Sequence, residues 1–299
     1  NNIINIRRNF MKVAIMTDSN SGITQSEAKE LGIFVLPMPF TIDGQEYKED
    51  INLTQEEFYD KLMNGAEVFT SQPAAGEVTA FFDRILEDYD QIVHIPMSSG
   101  LSGSCQTAMM LADDEDYKGK VFVVDSQRIS VTQKRDVLDA MALAKQGKDA
   151  KEIHDILMEN KFNASIYITV NTLEYLKKGG RITPAAAALG GLLKIKPVLT
   201  IQGEKLDSFQ KTRTMQKASK IMIEALQKDI KERIDPIHED MSEAHIMIAY
   251  TYDRDLALEF KKEVEEAFPN HEVICDPLSL SVACHIGPHS LAIGACKKI

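Results

Sequence analysis

One stretch of the chain runs directly from a strand pattern through a small-residue turn into a helix pattern: His94-Ile95-Pro96-Met97-Ser98-Ser99-Gly100-Leu101-Ser102-Gly103. The apolar run from Gln91 to Ile95 predicts the strand, and a helical pattern follows from about Ser104 to Ala112. A serine- and glycine-rich turn at a helix start exposes backbone N–H groups and hydroxyls at the positive end of the helix. The stretch therefore indicates a place that can hold an anion. The alternative is that Ser102 only caps the helix and the glycines only turn the chain.

Strands and helices alternate on both sides of this stretch. Val13 to Met16 predicts a strand that runs into Asp18-Ser19, and Val121 to Val124 predicts one that runs into Asp125-Ser126. Such alternation is typical of a largely parallel sheet, in which ligands lie beyond the carboxyl ends of the strands. We therefore expect these two polar pairs and Ser98-Ser99 to line one edge of the sheet.

A second pattern begins near Ala164, although no Pro/Ser-rich linker marks the change. Before it, Asp43-Gly44 predicts a hairpin turn; after it, a long charged helix is predicted from about Arg213 to Ile234. We predict an α/β protein of two domains. The N-terminal domain, residues 11–164, is expected to be Rossmann-like with a parallel sheet and helices, and the C-terminal domain, residues 165–299, to hold a mixed α/β sheet.

Composition narrows the class of partner. A net charge of −11 over 299 residues argues against nucleic acid or an anionic membrane as the main partner. No apolar run approaches the roughly 20 residues that a membrane span needs. The four cysteines follow no metal-ligand spacing, which indicates reduced thiols and a cytoplasmic protein. Asn1 to Phe10 carries no apolar segment and no cleavage site, so we expect no targeting function there.

The motifs of autonomous catalysis are missing from the sequence. No GxxxxGK[ST] loop, no GxGxxG fingerprint after a strand and no GxSxG elbow is present, and no His/Asp/Glu cluster has the spacing of metal ligands. We therefore predict no catalytic residues, no metal and no cofactor. The chain does offer hydroxyls, backbone N–H groups and a histidine, which suit a carboxylate.

Four blocks together resemble the signature of the DegV family, in that family's order: Thr70-Ser71-Gln72-Pro73, then Ser98-Ser99-Gly100-Leu101-Ser102-Gly103, then Lys178-Gly179-Gly180-Arg181-Ile182, then His285-Ile286-Gly287-Pro288. The resemblance runs from Met11 to the C-terminus. It implies a two-domain protein that binds a long-chain fatty acid and buries the acyl chain.

The resemblance also implies roles for particular residues. Thr70 and either Ser98 or Ser99 would hydrogen-bond the carboxylate, and His285 would lie near it; the choice between the serines stays open. Two departures from the family pattern stand out. His289 occupies a position that is usually glycine, which puts the backbone of that loop in doubt, and Ala74-Ala75 replaces more polar residues.

In some relatives a separate kinase phosphorylates the bound fatty acid, and the Gly-Gly-Arg block is linked with docking of that kinase. Arg181 would then be the docking residue, and the alternative is an ordinary loop ion pair. A competing hypothesis is an enzyme that acts on a small acyl or phosphate compound, with Ser98 or Ser99 as nucleophile and His285 as base. The sequence offers no third group to orient that histidine.

Overall fold

The computed structural model describes residues 10–192 and 194–299, so residues 1–9 and residue 193 lie outside the described part of the chain. The first part of the chain forms seven strands and six α-helices. They are β1 (Val13–Asp18), α1 (Gln25–Leu31), β2 (Phe34–Leu36), β3 (Phe40–Ile42), β4 (Gln45–Tyr47), α2 (Gln55–Met63), β5 (Val68–Thr70), α3 (Ala75–Leu86), β6 (Gln91–Ile95), α4 (Ser104–Ala112), β7 (Val121–Val123), α5 (Ser130–Lys145) and α6 (Ala150–Asn160).

The second part of the chain forms six strands and five α-helices. They are β8 (Ala164–Thr169), α7 (Glu174–Gly179), α8 (Pro184–Ala187), β9 (Val198–Ile201), β10 (Asp207–Gln210), α9 (Met215–Asp229), β11 (Ala244–Tyr250), α10 (Arg254–Ala267), β12 (Val273–Pro277), α11 (Leu280–Ile286) and β13 (Leu291–Lys297). The helix predicted from Arg213 to Ile234 is thus α-helical over α9 only, and a π-helical turn, Ile230–Ile234, completes it.

Side chains at the element ends explain several of these boundaries. Thr24 accepts a hydrogen bond from the Glu27 backbone at the start of α1, and Gly32 ends that helix in the left-handed region. Thr54 and Glu57 form a capping box at the start of α2. The predicted hairpin at Asp43-Gly44 is confirmed, because both residues have positive φ and the flanking strands β3 and β4 pair antiparallel.

Two main sheets confirm the predicted fold class. Strands of the first part form a four-stranded sheet in the order β2-β1-β6-β7, and all of its pairs are parallel. Strands of the second part form a mixed six-stranded sheet in the order β10-β9-β8-β13-β11-β12. A third, small sheet of order β4-β3-β5 carries Thr70 at the end of β5. The domain division at residues 164 and 165 stays a prediction.

The six-stranded sheet buries both faces. Tyr167 of β8 packs with the apolar residues of α9 and α10 on one face, whereas Ile166 and Ile168 point to the other face. That second face, called here the inner face, packs against α7, α11 and residues from the first part of the chain, Leu101, Ile129 and Val131 among them. The site described below lies between this inner face and the first part.

Helix α5 joins the two parts. Gly294 of β13 has no side chain, so Thr132 of α5 approaches the sheet closely; a Cβ at Gly294 would lie 3.2 Å from the Thr132 methyl group. Beside it, the buried Arg128 donates to Asp136 Oδ1 at 2.6 Å and to the Asn160 carbonyl at 2.8 Å. A buried charge is tolerated only when it is paired, so this ion pair holds the Arg128 loop in one position against α5.

Two short segments bear on the sequence predictions. The small and apolar residues that follow Thr183 form α8 and a 3₁₀ turn, Ala188–Gly191, while Leu193 lies outside the described residues. His289 has a φ of 60°, the left-handed region that glycine favours. The loop therefore keeps a glycine-like backbone at the position where the sequence departs from the family.

Candidate functional site

A cavity lies between the inner face of the six-stranded sheet and the first part of the chain. Its walls are predominantly aliphatic, and their main contributors are Leu101, Ile129, Val131, Ile166, Ile168, Leu176, Ile201, Leu206, Leu278, Val282 and Ile286. Most of its polar lining comes from Thr70 and its neighbours, from Ser102 and from Arg181 and His285, with Asn20, Ser130 and Ser281 in addition. Apolar walls combined with a few polar groups are typical of the sites at which proteins bind small molecules.

Thr70 and His285 come together at the polar end of the cavity. Thr70 ends β5, and His285 lies in the last turn of α11, 215 residues further along the chain. Thr70 Oγ1 lies 2.7 Å from His285 Nε2, within hydrogen-bond distance. The structure therefore brings together two of the residues that the sequence proposed for a carboxylate.

The protonation of His285 follows from its surroundings. Burial and the nearby Arg181 charge lower the pKa of the imidazole from 6.5 to about 4, so it is neutral at pH 7. Its Nδ1 is buried and has no hydrogen-bond partner among the described residues. Because the only available partner is at Nε2, we assign the single ring proton to Nε2. His285 then donates to Thr70 Oγ1, and the Thr70 hydroxyl proton is free to point at a ligand.

Gly179 allows His285 to take this position. A Cβ at residue 179 would lie 2.8 Å from His285 Cε1 and 3.2 Å from Cγ, and closer still to Nδ1. No such side chain fits, because real Cβ contacts are essentially never that short. The glycine of the Gly-Gly-Arg block thus has a steric role next to the histidine.

Arg181 points inward rather than to solvent. It is half-buried and lines the cavity, and its guanidinium donates to the Gly179 carbonyl at 2.6 Å and to the Leu101 carbonyl at 3.4 Å. Both partners are neutral carbonyls, so the positive charge is directed to this end of the cavity without a carboxylate from the described part of the chain. Neither sequence interpretation of Arg181, docking residue or loop ion pair, included this contact with the cavity.

Ser98 and Ser99 do not line the cavity. Ser98 is fully buried and donates to the Gly203 carbonyl, while its own carbonyl accepts from Leu101 and Ser102 in a tight turn. The backbone N–H of Ser99 donates to Asp125 Oδ1 at 3.2 Å. Neither serine therefore lies beside Thr70 and His285: the Ser98 hydroxyl bonds the Gly203 carbonyl, and the Ser99 backbone bonds Asp125.

The serine of this block that does line the cavity is Ser102. The sequence interpretation considered it only as a helix cap, and indeed the Ser104 backbone donates to Ser102 Oγ at 3.2 Å. No local signal separates Ser102 from Ser98 and Ser99, because all three serines belong to one small-residue turn. The contact of the turn with Gly203 decides which of its side chains face the cavity.

The polar edge of the parallel sheet forms as predicted. Asp18 Oδ2 accepts from the Met97 backbone at 2.8 Å, and Asp125 accepts from Ser99, so the loops after β1, β6 and β7 meet. Burial raises the pKa of Asp18 to about 6, although three hydrogen bonds to its carboxylate favour the charged form and lower the pKa. These carboxylates hold the serine loop and do not themselves line the cavity.

Within residues 10–192 and 194–299, no group of three or more His, Cys, Asp or Glu side chains could hold a metal ion. In the same residues, every helix is too short or too polar to cross a membrane.

Comparison with known proteins gives a consistent result. The model of the DegV family matches residues 12–298. A DegV domain-containing protein of Staphylococcus aureus is 31% identical over 287 residues, which cover 96% of this chain and 99% of that protein. The solved structure of a DegV family protein from Thermus thermophilus, described by its fatty acid binding, has a TM-score of 0.85 at 29% identity. The match covers 96% of this chain and 100% of the Thermus thermophilus chain. The structure of DegV from Bacillus subtilis, described as a fatty acid binding protein, has a TM-score of 0.83 at 27% identity. The match covers 96% of this chain and 100% of the Bacillus subtilis chain. The chain belongs to the DegV family.

Proposed function

We propose that this protein binds a long-chain fatty acid, with the acyl chain in the aliphatic cavity and the carboxylate at the end formed by Thr70 and His285. The observation that carries the proposal is that one predominantly aliphatic cavity includes Thr70 and His285, within hydrogen-bond distance of each other, in its lining. The fatty acid binding described for the Thermus thermophilus and Bacillus subtilis proteins supports it.

The energetics favour such a ligand. Burial of about fifteen methylene groups contributes on the order of 12 kcal/mol at about 0.8 kcal/mol each. Withdrawal of the carboxylate from water costs several kcal/mol unless new donors replace the water. The chain therefore supplies affinity through the acyl tail, and the polar end determines the orientation of the ligand.

Four side chains make up the proposed carboxylate site. The Thr70 hydroxyl donates one hydrogen bond, with its oxygen held by His285 Nε2–H. Arg181 supplies the positive charge, and Ser102 takes the role that the sequence assigned to Ser98 or Ser99. Ser98 and Ser99 would contribute indirectly, because their own contacts hold the turn that presents Ser102.

The same geometry favours binding over catalysis. A nucleophile and base need a histidine that accepts a proton near neutral pH and a third group that orients it. His285 has a pKa lowered to about 4 and an unpartnered Nδ1 among the described residues, and its hydrogen-bond partner is Thr70 rather than a serine of the Ser98 turn. We therefore favour a lipid-binding protein over the alternative of an acyl or phosphate enzyme.

We further propose that the bound fatty acid is presented to a fatty acid kinase. A second, surface pocket shares Thr70, Arg181 and His285 with the cavity and is lined by Phe69 and Lys178 as well. The carboxylate would thus face the lipid cavity on one side and an opening on the other. Lys178, which pairs with Glu67 at the protein surface, is better placed than Arg181 to contact a partner.

The binding proposal is tested by extraction of the purified protein with organic solvent and mass spectrometry of the extract. We expect about one long-chain fatty acid per chain, and delipidated protein should take up oleate or palmitate. Delipidated, folded protein that binds neither acid would refute the proposal.

The kinase proposal is tested with a reconstituted fatty acid kinase and two variants. Lys178→Ala should lower acyl phosphate formation with little change in oleate affinity, whereas Arg181→Ala should lower both. Unchanged turnover with Lys178→Ala would remove this surface from the docking site.

A further inference from the structure

The aliphatic cavity contains a second set of polar groups besides Thr70 and His285. Asn20, Ser130 and Ser281 line it as well, and all three residues are buried. Ser281 precedes His285 by four residues in α11. The two side chains therefore lie on the same face of that helix, about 6 Å apart along its axis. Asn20, Ser130 and Ser281 are called here the second polar site.

Asn20 brings an unpartnered donor to the second polar site. It lies in the 3₁₀ turn Ser19–Ser21, which contacts both α5 and α11, and only 2% of its surface is exposed. The Ser281 hydroxyl donates to Asn20 Oδ1 at 2.6 Å, whereas Nδ2 has no hydrogen-bond partner among the described residues. Burial raises the pKa of Asp18 and the nearby Asn20 amide weakly opposes this, yet no hydrogen bond joins the two side chains. A buried amide without a partner costs free energy, so it indicates that a ligand supplies the acceptor.

The start of α5 adds backbone donors to the same cavity. This helix has 16 residues, its N-cap Ile129 forms no side-chain cap, and its first turn holds no acidic residue. In the described part of the chain, the backbone N–H groups of Ser130 and Val131 have no acceptor. Ile129, Ser130 and Val131 all line the cavity, so the positive end of the helix dipole lies at the cavity wall.

From these observations we infer that the second polar site binds an oxygen substituent on the acyl chain, a hydroxyl or an oxo group, so that the ligand is an oxygenated fatty acid. The inference rests on the proposed fatty acid binding. The oxygen accepts from Asn20 Nδ2 and from the start of α5, and a hydroxyl also donates to Ser130 Oγ. An unsubstituted chain leaves these donors unpaired, at a free-energy cost that an oxygenated chain avoids. Because Ser281 and His285 are one helical turn apart, the substituent belongs a few carbons from the carboxylate.

The test compares palmitate, 3-hydroxypalmitate and 5-hydroxypalmitate by displacement of a fluorescent fatty acid from the delipidated full chain. The matched control ligand is 16-hydroxypalmitate, which has the same composition as the two probes but carries its hydroxyl at the far end. We expect at least one probe to bind the wild type about fivefold or more tightly than 16-hydroxypalmitate, the equivalent of one hydrogen bond. Asn20→Leu keeps the approximate size of the side chain and removes the amide, so it should abolish this preference.

Two further variants separate the second polar site from the carboxylate end. Ser281→Ala should reduce the preference, because Asn20 Oδ1 then loses the bond that holds the amide in place. Thr70→Val should weaken palmitate and the hydroxy acids by a similar factor and keep the preference. Circular dichroism shows whether each variant is folded, and Ser281→Ala decides if Asn20→Leu does not fold.

Three results would overturn the inference. The wild type could bind all the hydroxy acids equally, or its preference could survive Asn20→Leu. Asn20→Leu could also weaken palmitate and the probes equally, which would mean that the amide binds the carboxylate instead. Palmitate still binds the wild type in each of these cases, so the fatty acid proposal stands. Only a failure of palmitate to bind refutes both the fatty acid proposal and this inference.

Discussion

Substitution of Gly179 by alanine tests the proposed carboxylate site most directly, because the change is a single methyl group. The new Cβ would lie 2.8 Å from His285 Cε1, and ordinary van der Waals contact begins near 3.4 Å. The ring is confined on its other side by Thr70, at 2.7 Å from Nε2. The imidazole must therefore move by several tenths of an ångström or more, or rotate away, and either movement breaks the bond to Thr70.

The expected effects on stability and on affinity differ. Alanine in place of glycine favours a helix by at most about 1 kcal/mol, and relief of the overpacking costs about 1–3 kcal/mol. The free energy of unfolding should thus fall by no more than about 3 kcal/mol. A lost hydrogen bond to a charged group is worth about 1.5–3 kcal/mol, so the affinity for oleate should fall tenfold or more.

The assay is displacement of a fluorescent fatty acid by oleate, combined with urea unfolding and with NMR of the imidazole resonances. Gly76→Ala is the matched control, since nothing lies within 4 Å of a Cβ at that position in α3. It should leave oleate affinity unchanged. Wild-type oleate affinity in Gly179→Ala, with the His285 resonances unshifted, would refute the assignment of His285 to the site.

Three further predictions concern affinity, stability and pH. Thr70→Val should weaken oleate binding about tenfold or more with little loss of stability, and an unchanged affinity in displacement assays would exclude Thr70 from the site. Asp136→Asn should lower the free energy of unfolding by about 3–5 kcal/mol in urea, because it leaves the buried Arg128 unpaired, whereas Asp155→Asn, at an exposed ion pair, should have no measurable effect. Since burial lowers the pKa of His285 to about 4, the folded state binds its proton more weakly than the unfolded state. Stability should therefore decrease as pH falls from about 6.5 to 4, by up to about 3 kcal/mol from this residue. His285→Gln should make that decrease shallower, and an identical pH profile would contradict the assigned pKa.

Local patterns explain how much of the architecture could be predicted. Strand and helix periodicities, the threonine caps and the Asp43-Gly44 turn act within a few residues, so they are readable from the sequence. The same holds for the polar edge after β1, β6 and β7, because parallel strands align their carboxyl ends. Thr70 and His285 were found through their blocks, and the structure then brought them within 2.7 Å.

Side-chain direction at the site depended on contacts between distant segments. Ser98 does not line the cavity because its hydroxyl bonds the carbonyl of Gly203, 105 residues away in the loop between β9 and β10. Gly100 lets this loop approach closely, since a Cβ at residue 100 would lie 2.9 Å from Glu204 Cα. Arg181 turns inward because carbonyls of its own loop and of Leu101 accept its protons. The sequence by itself therefore determined the family, the fold class and two carboxylate candidates, since these follow from local patterns and motif order. Only the tertiary structure decided that Ser102 and Arg181 line the cavity, because that depends on how the two parts of the chain pack against each other.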